Sequence, residues 1–137
     1  MKKFVIFTDG ASRGNPGQAA SGYIIKTNEG VVWVEEAVRL GVATNNEAEY
    51  TAVKLALQRL AHDFSSDLPS VVEIKTDSQL VARQLAGIYK IKNPKLKVLF
   101  EEIKKLQGDI GKIVYTHIPR QENYLTDRLV NQALDTQ

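Results

Sequence analysis

The chain has 137 residues, of which 43% are hydrophobic and 25% charged, and its formal net charge is +2 at pH 7. This length fits one domain, which we expect to span residues 1–137, and the composition excludes a largely disordered chain. The absence of cysteine excludes disulfide bonds and thiolate metal ligands. Since no apolar run reaches the roughly 20 residues of a membrane helix, we expect a cytoplasmic protein with no membrane partner.

Three strands are predicted before the first helix. Residues 3–9 are rich in β-branched and aromatic side chains, and the turn-forming segment 10–17 follows them. Residues 20–27 and 31–39 are predicted to form a hairpin around the turn Asn28-Glu29-Gly30.

The rest of the chain alternates helices and strands. Thr44 followed by Glu47 is the pattern of a capping box, which predicts a helix to about His62. The later elements are predicted as a strand at 71–77, a helix from Ser78 to Ala86, a helix from Asn93-Pro94 to Gly108, a strand at 112–118 and a helix at 123–134. This β-β-β-α-β-α-α-β-α order predicts an α/β protein with a mixed five-stranded sheet and helices packed on its faces.

Two apolar strands end in the same dipeptide, Thr8-Asp9 and Thr76-Asp77. Functional groups gather outside the carboxyl ends of strands in open α/β sheets, so neighbouring strands would deliver a pair of carboxylates there. Taken singly, each aspartate is better explained as a residue of a turn.

Two further acids lie on the predicted core-facing sides of helices. Glu49 is followed at helical spacing by Val53 and Leu60, and Asp127 by Val130. A buried carboxylate is usually paired or bound to a metal ion. Both acids are equally compatible with a position at the boundary of the core.

Four carboxylates at one point would repel one another and take up protons unless cations neutralised them. Ligation by oxygen alone favours Mg²⁺ or Mn²⁺. Two such ions about 3.5–4 Å apart activate a water and stabilise the leaving oxygen when a phosphodiester is hydrolysed. Periodicity alone does not establish that the four residues converge.

A set of short motifs follows in a fixed order along the chain. The motifs are Thr8-Asp9-Gly10-Ala11 with Gly14-Asn15-Pro16-Gly17, Thr44-Asn45-Asn46-Glu47-Ala48-Glu49, Thr76-Asp77-Ser78-Gln79, His117-Ile118-Pro119-Arg120-Gln121-Glu122-Asn123 and finally Asp127. Each motif alone is a weak signal, whereas the complete set on the expected elements is a strong one. The chain resembles the type 1 ribonuclease H family from end to end. The resemblance implies a ribonuclease H-like fold and hydrolysis of the RNA strand of RNA–DNA hybrids, which leaves 5′-phosphate and 3′-hydroxyl ends.

The resemblance also implies the catalytic residues. It assigns Asp9, Glu49, Asp77 and Asp127 as ligands of two Mg²⁺ or Mn²⁺ ions when substrate is bound, with Asp9 bridging both. It implies that His117 assists proton movement or product release. The alternative for His117 is a surface histidine at the end of a strand.

Contacts with the hybrid are implied for a second set of residues. Ser12, Asn15, Asn45, Asn46 and Gln79 match positions that contact the minor groove, where 2′-hydroxyls donate and accept hydrogen bonds. Thr44 matches a residue that holds a phosphate of the DNA strand, with help from the amides of the helix N-terminus. Helix capping is the alternative role for the two adjacent asparagines.

The chain departs from the family at three points. Many members carry an inserted basic helix with tryptophans, whereas residues 87–93 here pass almost directly to the next helix. The lysines that remain beside Tyr89 form either a reduced phosphate-binding patch, which we favour, or a solvated helix entrance; they are Lys90, Lys92, Lys95 and Lys97. Thr126 stands where the family usually has alanine. We also expect no separate hybrid-binding domain before the catalytic one.

Three hypotheses remain. The leading one is a hybrid-specific endoribonuclease that works as a monomer without an obligate protein partner. The second is a non-catalytic nucleic-acid-binding relative, against which the complete set of four carboxylates argues. The third is a nuclease of the same superfamily that also cuts double-stranded RNA. The Asn45-Asn46 and Gln79 motifs favour the hybrid without excluding double-stranded RNA.

Overall fold

The structure is a computed structural model that describes residues 3–64, 69 and 71–136. The elements follow the predicted order and are β1 Lys3–Arg13, β2 Gly17–Thr27, β3 Val32–Ala43, α1 Asn45–Asp63, β4 Val71–Thr76, α2 Gln79–Leu85, α3 Pro94–Ile110, β5 Lys112–His117 and α4 Tyr124–Asp135. A short 3-10 helix, Arg120–Asn123, leads into α4. None of the helices in the described ranges is long and apolar enough to cross a membrane.

The five strands form one mixed sheet in the order β3-β2-β1-β4-β5. The first three strands pair antiparallel, and β4 pairs parallel with both β1 and β5. The predicted fold class is therefore confirmed. Because Thr8 pairs with Thr76 across β1 and β4, Asp9 and Asp77 follow side by side at the carboxyl edge of the sheet.

Helices cover both faces of the sheet. The main core lies under α1, α2 and α3, and its fully buried side chains include Ile6, Ile25, Leu57, Ile74 and Ile103. On the opposite face α4 lies against β2, where Val130 and Leu134 pack with Ala20. This packing brings the first turn of α4 to the edge of the sheet at which β1 and β4 end.

The first hairpin is longer than the residue types predict. We expected β1 to end at Asp9, but residues 10–13 continue to pair with residues 18–21 of β2, so that the turn is reduced to residues 14–16. Likewise β3 continues to Ala43 rather than ending at residue 39. Small and glycine residues look like turn formers in the sequence, yet a long antiparallel partner satisfies their backbone groups just as well.

The end of α3 also differs from the prediction. We expected Gly108 to end this helix, whereas α3 continues to Ile110, whose side chain is buried in the main core. Gly111, with φ of +136°, ends the helix instead. Burial of the isoleucine outweighs the weak helix propensity of a glycine, which costs only about 1 kcal/mol relative to alanine.

Candidate active site

Three carboxyl groups meet at the carboxyl edge of the sheet. Ligand oxygens of Asp9, Glu49 and Asp77 all lie within 4.8 Å of one another. Asp9 is 4% exposed and Glu49 9% exposed, whereas Asp77 is half-buried. The residues come from three elements that are distant in sequence: β1, the first turns of α1, and the end of β4.

The close approach of β1 to α1 explains how Asp9 meets Glu49. A β-carbon at Gly10 would lie 2.5 Å from the backbone nitrogen of Glu49, so only glycine allows the two backbones this contact. A buried hydrogen bond of 2.6 Å from the Ser21 hydroxyl to the carbonyl oxygen of Ala48 fastens β2 to the same turn of α1. The Thr44–Glu47 capping box, which the sequence predicted, fixes the start of that helix.

Asp127 lies beside this group but outside it. It occupies the first turn of α4 and lines the same cavity of about 260 Å³ as the three other acids. The start of α4 is held by Asn123, whose side-chain amide donates a 2.9 Å hydrogen bond to the carbonyl oxygen of Thr8. The structure therefore brings four acids to one cavity, and ligand oxygens of three of them lie within 4.8 Å of one another.

Burial and mutual repulsion change how these acids titrate. Burial, followed by the charge of Asp77, raises the pKa of Asp9 to about 7. Burial and then the charge of Asp9 raise the pKa of Glu49 well above its ordinary value. Burial raises the pKa of Asp77, and the positive charge of the Arg120 guanidinium offsets part of this rise.

The unsatisfied atoms of the site fit a hard cation. Glu49 Oε2 is buried and has no hydrogen-bond partner among the described residues. Buried polar atoms rarely stay unpaired, because leaving one unpaired costs about 1–3 kcal/mol. The donors around the cavity are carboxylate oxygens, which are the ligands that Mg²⁺ and Mn²⁺ prefer.

Three of the predicted substrate-contacting residues form one hydrogen-bonded cluster next to the cavity. The backbone N–H and hydroxyl of Ser12 donate to Asn45 Oδ1 at 2.8 and 3.0 Å. The backbone N–H of Asn45 donates to Asn15 Oδ1 at 3.0 Å. These contacts join the β1–β2 turn to the N-terminus of α1, and Asn45 and Asn46 both line the cavity.

Two further residues of the predicted site, Gln79 and His117, are exposed. Gln79 is exposed at the first position of α2, directly after Ser78, which caps that helix. His117 is exposed at the end of β5, opposite Thr76. Neither residue lines the cavity, although His117 is near enough to Asp77 for its charge to offset a small part of the rise in the pKa of that acid.

Comparison with known proteins agrees with this geometry. The model of a family described as reverse transcriptase-like matches residues 7–133. Ribonuclease HI of Halobacterium salinarum is 40% identical over 129 residues, which is 94% of this chain. The structure of LC11-RNase H1 in complex with an RNA/DNA hybrid superposes with a TM-score of 0.93 at 39% identity and covers 96% of both chains. This chain belongs to the type 1 ribonuclease H family.

A second solved structure extends the comparison. Ribonuclease H1 from the halophilic archaeon Halobacterium salinarum matches with a TM-score of 0.90 at 38% identity, over 98% of this chain and 99% of that one. The chain spans 63% of the curated Halobacterium ribonuclease HI and 36% of a bifunctional relative from Mycobacterium tuberculosis. The family and the fold inferred from the motifs are thus confirmed.

Arg120 is the residue of this ribonuclease H site that the motifs did not assign. It lines the cavity, and its guanidinium lies 3.8 Å from Asp127 Oδ1. Its charge also offsets part of the rise in the pKa of Asp77. The sequence could have indicated this residue, since Arg120 is the only lysine or arginine between the two predicted site residues His117 and Asp127.

The segment that replaces the family's inserted basic helix is short. Residues 86–93, which we call the α2–α3 loop, join the two helices without a further helix. The four lysines of this region are exposed: Lys90, Lys92, Lys95 and Lys97. The departure noted in the sequence is therefore confirmed. Thr126, the other departure in the described chain, is buried, and its hydroxyl has no partner among the described residues.

Proposed function

We propose that this protein is a divalent-metal-dependent endoribonuclease that hydrolyses the RNA strand of RNA–DNA hybrids and leaves 5′-phosphate and 3′-hydroxyl ends. The observation that carries the proposal is the buried Asp9, Glu49 and Asp77 group within 4.8 Å, open to a cavity that Asp127 completes. The related LC11 protein was crystallised with an RNA/DNA hybrid.

The metal ligands follow from the donors present. Asp9, Glu49 and Asp77 lie close enough together to hold Mg²⁺ or Mn²⁺, and by the family resemblance Asp9 would be a ligand common to two such ions. Asp127 supplies the fourth carboxylate. Bound divalent ions supply an activated water and neutralise the charge that builds up on the phosphate. The chain itself contributes a fixed, mostly buried set of oxygens, whose pKa values are raised first by burial and further by the charges of the neighbouring acids.

Hybrid recognition is proposed for the polar cluster beside the cavity. Ser12, Asn15 and Asn45 are already fixed by hydrogen bonds to one another, so little conformational entropy is lost when they bind substrate. Amide and hydroxyl groups suit the 2′-hydroxyls of an A-like minor groove. Asn46 and Gln79 extend this surface, and Thr44 at the N-terminus of α1 is placed to receive a DNA phosphate.

The remaining expectations are proposals of the same kind. Residues 1–137 act as a single catalytic domain, as a monomer without an obligate protein partner, in the cytoplasm. Light scattering coupled to size exclusion tests the oligomeric state, since a dimer would double the mass of 15.3 kDa.

The decisive experiment compares substrates. Purified protein with Mg²⁺ or Mn²⁺ is incubated with labelled hybrid, double-stranded RNA, DNA duplex and a DNA duplex that contains one ribonucleotide. We expect rapid cleavage of the hybrid alone and poor cleavage at the single ribonucleotide, because recognition runs through several consecutive 2′-hydroxyls. Equal cleavage of double-stranded RNA would favour the broader nuclease, and binding without cleavage would favour a non-catalytic relative.

A further inference from the structure

A buried glutamine connects the carboxylate-bearing helix to the α2–α3 loop. Gln84 lies in the last turn of α2 and is 7% exposed. Its Oε1 accepts a 2.6 Å hydrogen bond from the hydroxyl of Tyr50, and its Nε2 donates to the carbonyl oxygen of Lys90 at 3.3 Å. Tyr50 is fully buried and directly follows Glu49 on α1. One side chain therefore spans α1, α2 and the loop.

The helix that carries Gln84 has a candidate substrate residue at its other end. Helix α2 begins with Gln79, two residues after Asp77, and is only seven residues long. Its length is about 10 Å at 1.5 Å per residue. The α2–α3 loop thus starts within about 10 Å of the active-site end of the helix, which is close enough for one bound duplex to contact both.

The loop folds back on α2 through its backbone. The N–H groups of Ile88 and Tyr89 donate to the carbonyl oxygen of Arg83 at 2.8 and 3.1 Å. The guanidinium of Arg83 lies over the ring of Tyr89 at 5.5 Å. These bonds fix the first half of the loop. In the second half, Gln84 holds the carbonyl of Lys90 and Ile91 packs against the main core, while Lys90 and Lys92 project into solvent.

The charge of this region indicates its partner. Residues 78–100 contain five cations and no acid: Arg83, Lys90, Lys92, Lys95 and Lys97. A cationic segment of this kind binds phosphates, and the contribution of each contact depends on where the backbone holds the lysine. The lysines of an exposed loop contribute most to binding affinity when the loop backbone is already ordered before the nucleic acid binds.

We infer that Gln84 is a positioning residue, which acts through the carbonyl of Lys90 to hold the basic α2–α3 loop where it meets the nucleic-acid backbone. The inference rests on the proposed function, because it assumes a polyanionic duplex in the adjacent site. The side-chain amide is required chemically, since it must accept from Tyr50 and donate to a carbonyl at the same time. Neither a methionine nor a glutamate does both.

The test measures binding in the Asp77→Asn background, which prevents cleavage. The change Gln84→Met removes both hydrogen bonds at similar volume, and Gln84→Glu keeps the acceptor for Tyr50 but loses the donor to Lys90. We expect each to raise the Kd for a hybrid about 3- to 10-fold, the usual size of one lost hydrogen bond. The slope of log Kd against log salt should also become shallower, because loop lysines contact fewer phosphates.

Tyr50→Phe is the matched control. It removes a buried hydrogen bond on the other side of Gln84 but leaves the donor to Lys90, so we expect a lower midpoint of unfolding with less than about twofold change in Kd. In the cleaving enzyme, Gln84→Met should raise KM and leave kcat within about twofold.

These measurements distinguish failure of the inference about Gln84 from failure of the proposed function. If Gln84→Met lowers the midpoint of unfolding while Kd and the salt slope stay at the parent values, Gln84 is only a structural residue and the inference is wrong. If the unmodified protein binds and cuts no hybrid at all, the proposed function is wrong. Recovery of the parent Kd by Gln84→Glu would likewise exclude the role of the Lys90 carbonyl.

Discussion

Gly10 and Ala48 touch through their backbones: a β-carbon on Gly10 would lie 2.3 Å from the carbonyl carbon of Ala48. No rotamer change relieves such a clash, because both partners are main chain. We predict that Gly10→Ala pushes β1 and α1 apart, lowers the free energy of unfolding by at least about 2 kcal/mol and removes most of the activity. Urea denaturation measures the first effect and a hybrid cleavage assay the second.

Gly108→Ala is the control for this prediction. Gly108 lies within α3, and a β-carbon there would meet nothing within 4 Å. The change should raise the free energy of unfolding by about 0.5–1 kcal/mol, because alanine loses less backbone entropy in a helix. If Gly10→Ala and Gly108→Ala changed the free energy of unfolding and the activity equally, the close β1–α1 contact could not be the cause of the loss in Gly10→Ala.

The charge of the site makes the stability of the metal-free protein depend on pH. The pKa of Asp9 is raised from 3.8 to about 7 in the folded protein, so the folded state binds the proton more tightly than the unfolded state does. Its contribution to stability is therefore complete below about pH 4 and is lost as the pH rises through about 7. Glu49, whose pKa is also raised, adds to the same trend.

Asp9→Asn should reverse this loss. At pH 8 with a chelator we expect the variant to be more stable than the parent by a few kcal/mol, and at pH 4 the two should have the same stability. Added Mg²⁺ or Mn²⁺ should stabilise the parent more than the variant, because the ion binds the folded carboxylates. A stability difference that does not change between pH 4 and pH 8 would show that Asp9 titrates normally.

The same substitution tests the role of the acids in catalysis. Asp9→Asn and Asp77→Asn should each reduce cleavage to below a few per cent of the parent, since a neutral amide holds divalent ions poorly. Binding of the hybrid should persist or improve, because each substitution removes one negative charge that repels the phosphate. Substantial activity of Asp9→Asn at saturating metal would mean that the site has been assigned to the wrong residues.

His117 is exposed and lies outside the cavity lining, so its loss should reduce activity less than the loss of an acid does. We predict that His117→Ala slows turnover about 10- to 100-fold, at or below the lower end of general acid–base effects, while metal affinity and hybrid binding stay the same. Single-turnover kinetics locates the defect: a slower chemical step indicates proton transfer, and a defect seen only in multiple turnover indicates product release. A variant equal to wild type in both would make His117 a bystander.

The lysines of the α2–α3 loop and the start of α3 should act through charge alone. Replacing Lys90, Lys92, Lys95 and Lys97 with alanine should weaken binding to every hybrid sequence about equally. Each lost phosphate contact should reduce the salt slope of log Kd by about 0.7–0.9. An unchanged slope would identify these residues as an ordinary solvated helix entrance.

The sequence predicted the fold well because its signals were local. The Thr44 capping box, the Asn93-Pro94 start of α3 and the alternation of strands and helices all appear in the structure. The end of β1 and the end of α3 were wrong, because long-range pairing and the burial of Ile110 decided them. Such contacts are not encoded in the residues at the boundary itself.

The site was predictable in part. The helical spacing placed Glu49 on or beside the core-facing side of α1, with a boundary position as the alternative, and the structure shows it buried. For Asp127 the spacing left a buried and a boundary position open, and the structure shows it partly exposed beside Arg120. The pairing itself was not predicted, because the contact of Arg120 with an acid on α4 depends on how α4 docks. Charge partners across elements become visible only once the elements are packed.

The distribution of the four acids over the chain also bears on biosynthesis. Asp9 lies on the first strand and Asp127 on α4, the final helix of the described chain, so Asp127 is synthesised after the other three acids. A nascent chain that lacks α4 also lacks the Asn123 bond to Thr8 and the packing of Val130 on the sheet. We therefore expect the site to lack its fourth carboxylate until α4 has been synthesised and has packed on the sheet, and proteolytic removal of α4 should abolish cleavage while the other three acids remain.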